Sequence, residues 1–235
     1  MHVVVRELDG IAEWTAAGAL YREVFGYVEP GWGLNPRLLA ALRENGGTVI
    51  GALADDGELA GFCYGFTGVR GGELYHYSQA AAVSASAQGA GIGRLLKYAQ
   101  AAAARLTGVR TMRWTFDPYA LRNAHFNFAV LGATGIRFLP DFYGEPGTDR
   151  VLVSWDLARA EAGPGRTGAG VRTGGEAAAR IVVAADEWFA APDPKDRAWL
   201  RRELLTQFAG ARKLVGVSRP EGARGRVAYL FEDAA

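Results

Sequence analysis

A glycine-rich segment between a strand-like run and a helical run constrains the fold of this chain more than any other feature. The segment Gln88–Gly93 follows Glu73–Val83, which is rich in residues typical of strands, and precedes Arg94–Leu106, which has helical periodicity. Glycines keep backbone N–H groups accessible, and successive N–H groups at the start of a helix form a site for a pyrophosphate. The sequence therefore predicts an anion-binding loop between a strand and a helix.

Two common families of phosphate-binding loop do not fit this segment. A Walker loop needs Gly-Lys-Ser/Thr after its second glycine, whereas Ile92, Gly93 and Arg94 follow Gly91. The dinucleotide pattern G-x-G-x-x-G fails in both registers, because its last position falls on Arg94 or on Leu96. A nucleotide site of either kind is therefore excluded.

Hydrophobic periodicity and turn residues predict the order β-α-α-β-β-β-α-β-α-β-β up to Leu157. The glycine-rich segment follows the fourth of these strands. The predicted elements are strand 2–8, helices 11–25 and 36–45, strands 48–54, 58–68 and 73–83, helix 94–106, strand 109–116, helix 120–131, and strands 134–139 and 150–157.

The composition changes after Leu157. Residues 158–178 are rich in glycine and poor in large apolar residues, which is typical of a linker. A second α/β unit follows, with strands at 180–184, 213–217 and 226–231 and a helix near 195–208. We predict a first domain over residues 1–157, a linker over 158–178 and a C-terminal extension over 179–235.

Charge, cysteine and histidine content exclude several classes of partner and site. The chain has 26 Lys and Arg against 25 Asp and Glu, so we expect neither nucleic acid nor a membrane as a partner. Neither a signal-like N-terminus nor an apolar segment of membrane-spanning length is visible, which favours a cytoplasmic location. One cysteine and three scattered histidines predict no zinc or iron site.

Gln88, Gly91 and Gly93 form the pattern Gln/Arg-x-x-Gly-x-Gly/Ala. This pattern resembles the coenzyme A pyrophosphate loop of the GNAT (Gcn5-related N-acetyltransferase) superfamily, and the element order of residues 1–157 is the GNAT order. The segments 114–118, 122–124 with Asn127, 142–144 and 149–150 are similar to a group of bacterial predicted acetyltransferases with a C-terminal α/β extension. The resemblance implies an α/β fold, with a mixed, mostly antiparallel sheet flanked by helices, and an acyl-CoA co-substrate such as acetyl-CoA.

The resemblance also implies how the cofactor is held. The fourth and fifth strands of this superfamily separate, and the pantetheine arm lies between them, where small side chains let it reach the backbone. A free N–H group of the fourth strand would also hold the oxyanion of the reaction. Asn123, near the start of a helix, is expected to contact cofactor or acceptor, or only to satisfy the backbone. The predicted cofactor-binding residues are Ala81, Ala82, Val83, Gln88, Gly89, Ala90, Gly91, Ile92, Gly93, Arg94 and Asn123.

N-acyl transfer needs a base for the amine proton and, in many relatives, an acid for the thiolate. The acid is often a Tyr four residues before a helix-closing Gly, but Phe128 stands four residues before Gly132 here. Tyr143, Tyr119, water or unassisted loss of the thiolate are the alternatives. The predicted bases are Asp117 and His76. The alternatives are that Asp117 only caps the next helix and that His76 is only a core residue.

The acceptor is expected to be the amine of a small metabolite, because the loops 27–34 and 140–148 carry aromatic residues. Glu29, Trp32, Ser78 and Gln79 are the predicted substrate-binding residues. Two alternatives stay open: acylation of a protein lysine or N-terminus, and binding of acyl-CoA without turnover.

The C-terminal extension is too small for a core of its own. We expect it to dock on the first domain at the exposed edge strand 150–157 and to help form the wall of the acceptor pocket. Docking within one subunit and docking across a homodimer are both compatible with the sequence.

Overall fold

A computed structural model describes residues 2–160, 179–184, 193–218 and 226–234. The chain packs as two compact units. The amino-terminal unit comprises Met1–Arg113 and Asp156–Arg166, and the carboxy-terminal unit comprises Trp114–Trp155 and Thr167–Ala235. Most of the predicted linker lies outside the described residues, and the domain boundaries given above stay predictions.

The amino-terminal unit is a mostly antiparallel sheet in the order β1-β2-β3-β4-β5, with helices packed on it. Strands β1 to β4 pair antiparallel with their neighbours, and β4 pairs parallel with β5. The last strand, β5, continues into the carboxy-terminal unit. The elements are β1 Val3–Glu7, α1 Gly10–Phe25, α2 Pro36–Glu44, β2 Thr48–Ala54, β3 Leu59–Arg70, β4 Glu73–Val83, α3 Ile92–Arg105 and β5 Thr111–Phe116.

Helices cover both faces of this sheet, because successive strand residues point to opposite faces. Val49 and Phe62 join the apolar cluster that contains Leu20 of α1 and Leu39 of α2. The residues next to them in the strands, Ile50 and Cys63, join the cluster of Ile92 and Leu96 on α3. The helices α1 and α2 therefore lie on one face and α3 on the other.

A β-bulge interrupts the pairing of β3 with β4. Tyr64 pairs with Ala80 and Gly65 pairs with Ser78, so Gln79 is the additional residue on β4. A Cβ atom on Gly65 would lie 2.3 Å from the Tyr77 carbonyl oxygen, which only glycine avoids. The bulge also changes which residues of β4 face α3.

The carboxy-terminal unit contains the strand order β7-β6-β9-β10-β8. Its extension has the predicted β-α-β-β order. The elements are α4 Leu121–His125, followed by a π-helical turn Phe126–Val130, β6 Thr134–Leu139, β7 Arg150–Asp156, β8 Ala179–Ala184, α6 Pro194–Ala209, β9 Arg212–Ser218 and β10 Arg226–Asp233. A short helix, α5 (Leu157–Ala160), follows β7.

The extension joins the sheet of this unit at β6, not at the strand 150–157 as expected. β6 pairs with β7 on one side and with β9 on the other. The hairpin therefore turns β6, rather than β7, towards the extension. A Cβ atom on Gly135 would lie 2.9 Å from Cβ of Leu214, its partner in β9, so a larger residue would force these two strands apart.

Element boundaries differ from the predictions by a few residues. Helix α3 begins at Ile92, two residues early, because the left-handed backbone of Gly91 (φ +79°) caps it. The helix expected over 120–131 is an α-helical turn continued by a π-helical turn. None of the described helices is long and apolar enough to cross a membrane.

Candidate active site

The loop between β4 and α3 has the geometry of an open anion-binding site. Gly89 (φ +83°) and Gly91 (φ +79°) have left-handed backbones, and both are exposed. A Cβ atom on either glycine would meet no atom of the described residues within 4 Å. Glycine is therefore favoured there by backbone conformation, and the space in front of the loop is open to a ligand.

The first turn of α3 supplies N–H groups to this space. The N–H groups of Arg94 and Leu95 donate to the Gly91 carbonyl, at 3.0 and 3.2 Å. Those of Ile92 and Gly93 come earlier, where a helix has no internal acceptor for them. Together with the positive end of the helix dipole they suit a pyrophosphate, and the half-buried Arg94 lies on the same turn. The predicted cofactor loop therefore fits the phosphate part of coenzyme A.

The second half of β4 leaves part of its backbone outside the parallel ladder. Among the described residues, β4 and β5 pair only at His76↔Met112 and Tyr77↔Arg113. β4 continues to Val83, so one side of the backbone after Tyr77 lies beyond this pairing. Ala81, Ala82 and Val83 lie in this stretch, and their contact with a pantetheine arm stays a prediction.

Two predicted site residues, His76 and Ser78, lie together under α3 rather than in open space. His76 is fully buried, and its Nε2 lies 2.9 Å from Thr48 Oγ1. The Ser78 hydroxyl, also buried, donates to Gln100 Oε1 at 2.7 Å and accepts from Lys97 Nζ at 2.7 Å. The roles of base and substrate contact stay predictions, which this burial disfavours.

Thr48, His76, Ser78, Lys97 and Gln100 form what we call the buried polar network. Gln100 Nε2 donates to Thr48 Oγ1 at 3.0 Å, which links the two halves. Burial lowers the pKa of His76 to about 4 and that of Lys97 to about 8. Sequence reasoning missed three of the five residues, although Lys97 and Gln100 are polar positions on the buried face of α3.

The other predicted acceptor contacts of this unit are exposed. Trp32 is 61% exposed, and its ring packs edge-on against Tyr27 at 5.7 Å. The backbone N–H of Trp32 donates to the backbone carbonyl of Glu29 at 3.1 Å, so the turn places these two residues side by side. Gln79 is exposed at the bulge of β4. All three side chains can be reached from solvent.

In the carboxy-terminal unit, Asp117 has a local structural role. Its Oδ1 accepts from the Tyr119 N–H at 2.8 Å, which closes a turn after β5. Asn123 is exposed in α4. Phe128, at the expected tyrosine position, is buried against Phe116 with ring centroids 5.7 Å apart. A base role for Asp117 and a ligand contact by Asn123 stay predictions.

Of the two tyrosines considered as acids, only Tyr143 is open to solvent. Tyr143 is 57% exposed, and the Arg150 guanidinium lies 5.1 Å from its ring centroid. Tyr119 is buried and donates to Asp149 Oδ2 at 2.5 Å. Burial, together with this carboxylate, raises the pKa of Tyr119 well above its usual value, which disfavours it as a proton donor.

The loop that carries Tyr143 is held by helix α6 of the extension. The Arg201 guanidinium donates to both carboxylate oxygens of Asp141, at 3.3 and 2.7 Å. Arg197 Nη2 donates to the Gly147 carbonyl at 2.7 Å. The buried Asp149 carboxylate accepts from the Asp141 N–H at 3.0 Å. The extension therefore fixes a loop that was expected to line the acceptor pocket.

Comparison with known proteins agrees with the predicted fold. A family model described as an acetyltransferase (GNAT) domain matches residues 5–120. Among solved structures, a GNAT-family protein from Desulfovibrio desulfuricans has a TM-score of 0.53 at 20% identity, over 66% of this chain and 99% of its own. yncA from Salmonella typhimurium, solved with its cofactor acetyl-CoA, has a TM-score of 0.54 at 18% identity, over 67% of this chain and 95% of its own.

The NatC complex bound to Gag peptide and CoA has a TM-score of 0.56 at 13% identity, over 66% of this chain and 99% of the matched one. No protein of curated function matches the sequence. Identities this low show a shared fold alone, and that fold is the α/β fold predicted above. With the family match, residues 5–120 are a domain of the GNAT acetyltransferase family, the family that Gln88–Gly93 resembles.

Proposed function

We propose that this chain is an acyl-CoA-dependent N-acyltransferase that transfers an acetyl group to the amine of a small metabolite. The observation that carries the proposal is the loop before α3. Gly89 and Gly91 leave open space there, and the N–H groups of Ile92 and Gly93 precede the internal hydrogen bonds of the helix. The solved structures with CoA or acetyl-CoA share this fold, which supports the same choice of co-substrate.

The proposed reaction is direct attack of the amine on the thioester. The amine nitrogen forms a bond to the carbonyl carbon, the carbon–sulfur bond breaks, and coenzyme A leaves as thiolate. A backbone N–H group of β4 after Gln79 would hold the developing oxyanion. The amine proton would pass to Asp117 or to water. The thiolate, with an ordinary thiol pKa near 8.5, would leave unaided or take a proton from Tyr143.

A small acceptor is favoured by the turn that carries Glu29 and Trp32. The aromatic ring offers apolar contact, and the neighbouring carboxylate would attract a cationic amine. Both residues are exposed, and the turn fixes their spacing through the Trp32 N–H to Glu29 carbonyl hydrogen bond. Gln79 at the bulge would add a polar contact close to the proposed oxyanion site.

The loop is tested with Gly91→Asp and a matched control. At position 91 the carboxylate would itself occupy the N–H groups at the helix start and would repel the pyrophosphate. Gly108, at the other end of α3, is also exposed, has φ +82° and open space at its Cβ position. The Gly108→Asp variant therefore carries the same strain and charge away from the loop.

We expect calorimetric titration with CoA and acetyl-CoA to show no binding to Gly91→Asp and parent-like affinity for Gly108→Asp. Thiol release from acetyl-CoA should depend on the amine in a panel that contains metabolites and peptides. Parent-like affinity of the folded Gly91→Asp variant would exclude this loop as the site. Turnover with peptides alone would replace the small acceptor with a protein.

A further inference from the structure

The segment of β4 that follows the bulge does not fix its own register. It reads Ala80-Ala81-Ala82, so its side chains are the same on both faces of the strand. Registers are specified by differences between the two faces of a strand, and this run offers almost none. Something other than the alanines must hold the bulge at Gln79.

The buried polar network touches β4 directly before the bulge. Lys97 Nζ and Gln100 Oε1 both lie 2.7 Å from the Ser78 hydroxyl. Two residues earlier, His76 Nε2 lies 2.9 Å from Thr48, which also accepts from Gln100. Both side chains that β4 presents to α3 before the bulge are therefore held by hydrogen bonds.

Either shift of the bulge would disrupt this arrangement. Moving the extra residue to position 78 would expel the Ser78 hydroxyl from Lys97 and Gln100 and put the Gln79 side chain in its place. Moving it to position 80 would turn Gln79 towards the apolar cluster that contains Phe62 and Tyr64. The first shift breaks two buried hydrogen bonds of Ser78, and the second buries an amide among apolar side chains, so both shifts are disfavoured.

Burying the five polar side chains of the network carries a desolvation penalty that apolar side chains in their place would avoid. All five side chains are buried, and His76 Nδ1 has no hydrogen-bond partner among the described residues. Replacing buried polar groups by well-packed apolar ones is often neutral or stabilising, whereas fixing a register is a well-attested use of such groups. A positioning role explains why polar residues stand here.

We propose that the buried polar network fixes the β4 bulge at Gln79 and thereby positions the backbone N–H group that polarises the thioester carbonyl. Ser78, Lys97 and Gln100 are positioning residues, since they act through the strand and touch neither acyl group nor acceptor. The inference rests on the proposed function. It adds a set of residues that kcat depends on, whereas the affinity for coenzyme A does not depend on them.

The test uses the full chain with Ser78→Ala, Ser78→Thr and the double variant Ser78→Ala/Lys97→Met, which removes both partners of one hydrogen bond. Leu96→Ala is the matched control, because Leu96 is buried on the same face of α3 but belongs to the apolar cluster. The readouts are kcat, KM, the dissociation constant for CoA, the melting temperature, and the infrared C=O stretch of bound acetyl-CoA labelled with ¹³C.

We expect Ser78→Ala and the double variant to lose at least tenfold in kcat, with CoA affinity within twofold of the parent. Their carbonyl stretch should move towards the value for free acetyl-CoA. Ser78→Thr, which keeps the hydroxyl, should restore most of kcat. Leu96→Ala should lower the melting temperature by as much or more and leave the carbonyl stretch in place.

Parent-like kcat in Ser78→Ala would overturn the inference. So would a fall in kcat that follows the fall in melting temperature equally in Leu96→Ala and in the network variants. If Ser78→Ala does not fold, Ser78→Cys, which replaces the hydroxyl by a weaker acceptor, takes its place with the same expectation. A parent that does not bind acetyl-CoA would overturn the proposed function and this inference together. A parent that turns over, with variants that keep kcat and carbonyl stretch, would overturn this inference alone.

Discussion

Acid should destabilise this protein through one buried imidazole. His76 is fully buried, and desolvation, with the nearby Lys97 charge, lowers its pKa to about 4 from 6.5. Between these two pH values the unfolded chain holds a proton on His76 and the folded chain does not. The free energy of unfolding therefore falls as the pH drops from about 6.5 to about 4, and His76 adds no further loss below that.

The size of the effect follows from the two pKa values. At 1.36 kcal/mol for each pH unit between 6.5 and about 4, the full loss is about 3 kcal/mol. For a chain of this length that corresponds to a fall in melting temperature of roughly 6–12 °C. Glu13, whose pKa is lowered to about 2 by its hydrogen bond to Arg6, acts at lower pH, so its contribution does not overlap much.

Calorimetric melting between pH 7 and pH 4.5 measures most of this loss. His76→Gln, which keeps a side-chain nitrogen near Thr48 but cannot titrate, should be nearly flat over the same range. The control removes the other two histidines, His2 and His125, which are exposed. That double variant should keep the slope of the parent. A parent whose melting temperature is constant over this range, or a His76→Gln variant with the parent's slope, would refute the reasoning.

Two further results are expected. Cys63→Ala should retain turnover, because burial raises the pKa of this thiol to about 12 and leaves it without a thiolate. Intact-mass spectra of the parent with acetyl-CoA should show no acylated Cys63, and ping-pong kinetics would contradict this. Arg201→Ala should cost about 2 kcal/mol or more in global stability, because it removes the partly exposed pair with Asp141 and also the ion pair with the buried Asp149 carboxylate, 3.6 Å away. It should also speed proteolytic cleavage in the loop 140–149. The matched variant is Arg202→Ala, at an exposed position of the same helix. Equal cleavage rates in the two variants would count against Arg201 as the residue that holds this loop.

Most elements could be predicted because each has a local signal. Strands β2, β4 and β6 have the predicted bounds, and turn residues flank each of them. The predicted start of α3 is two residues late, because the sequence shows Gly91 as a loop glycine and not the left-handed backbone that makes it the cap of the helix. The connection of the extension to β6 could not be predicted, since strand pairing between distant segments leaves no local pattern.

The site was predictable only where glycine determines it. Gln88–Gly93 carry their function in backbone conformation, which the residue type indicates directly. The buried polar network is different, because Thr48, Ser78 and Lys97 are far apart in the chain and meet only through tertiary packing. A lysine in a helix is usually solvated, so nothing near Lys97 in the sequence indicates that its ammonium group lies against β4.

The pairing of β6 with β9 has a consequence for the time course of synthesis. Leu214 emerges about 80 residues after its partner Gly135. At 5–20 residues per second, β6 waits roughly 4–16 s for its neighbour. During that interval one edge of the strand offers its backbone groups to other nascent chains. The order of translation therefore makes β6 the strand of this pair that is open to misassembly before the chain is complete.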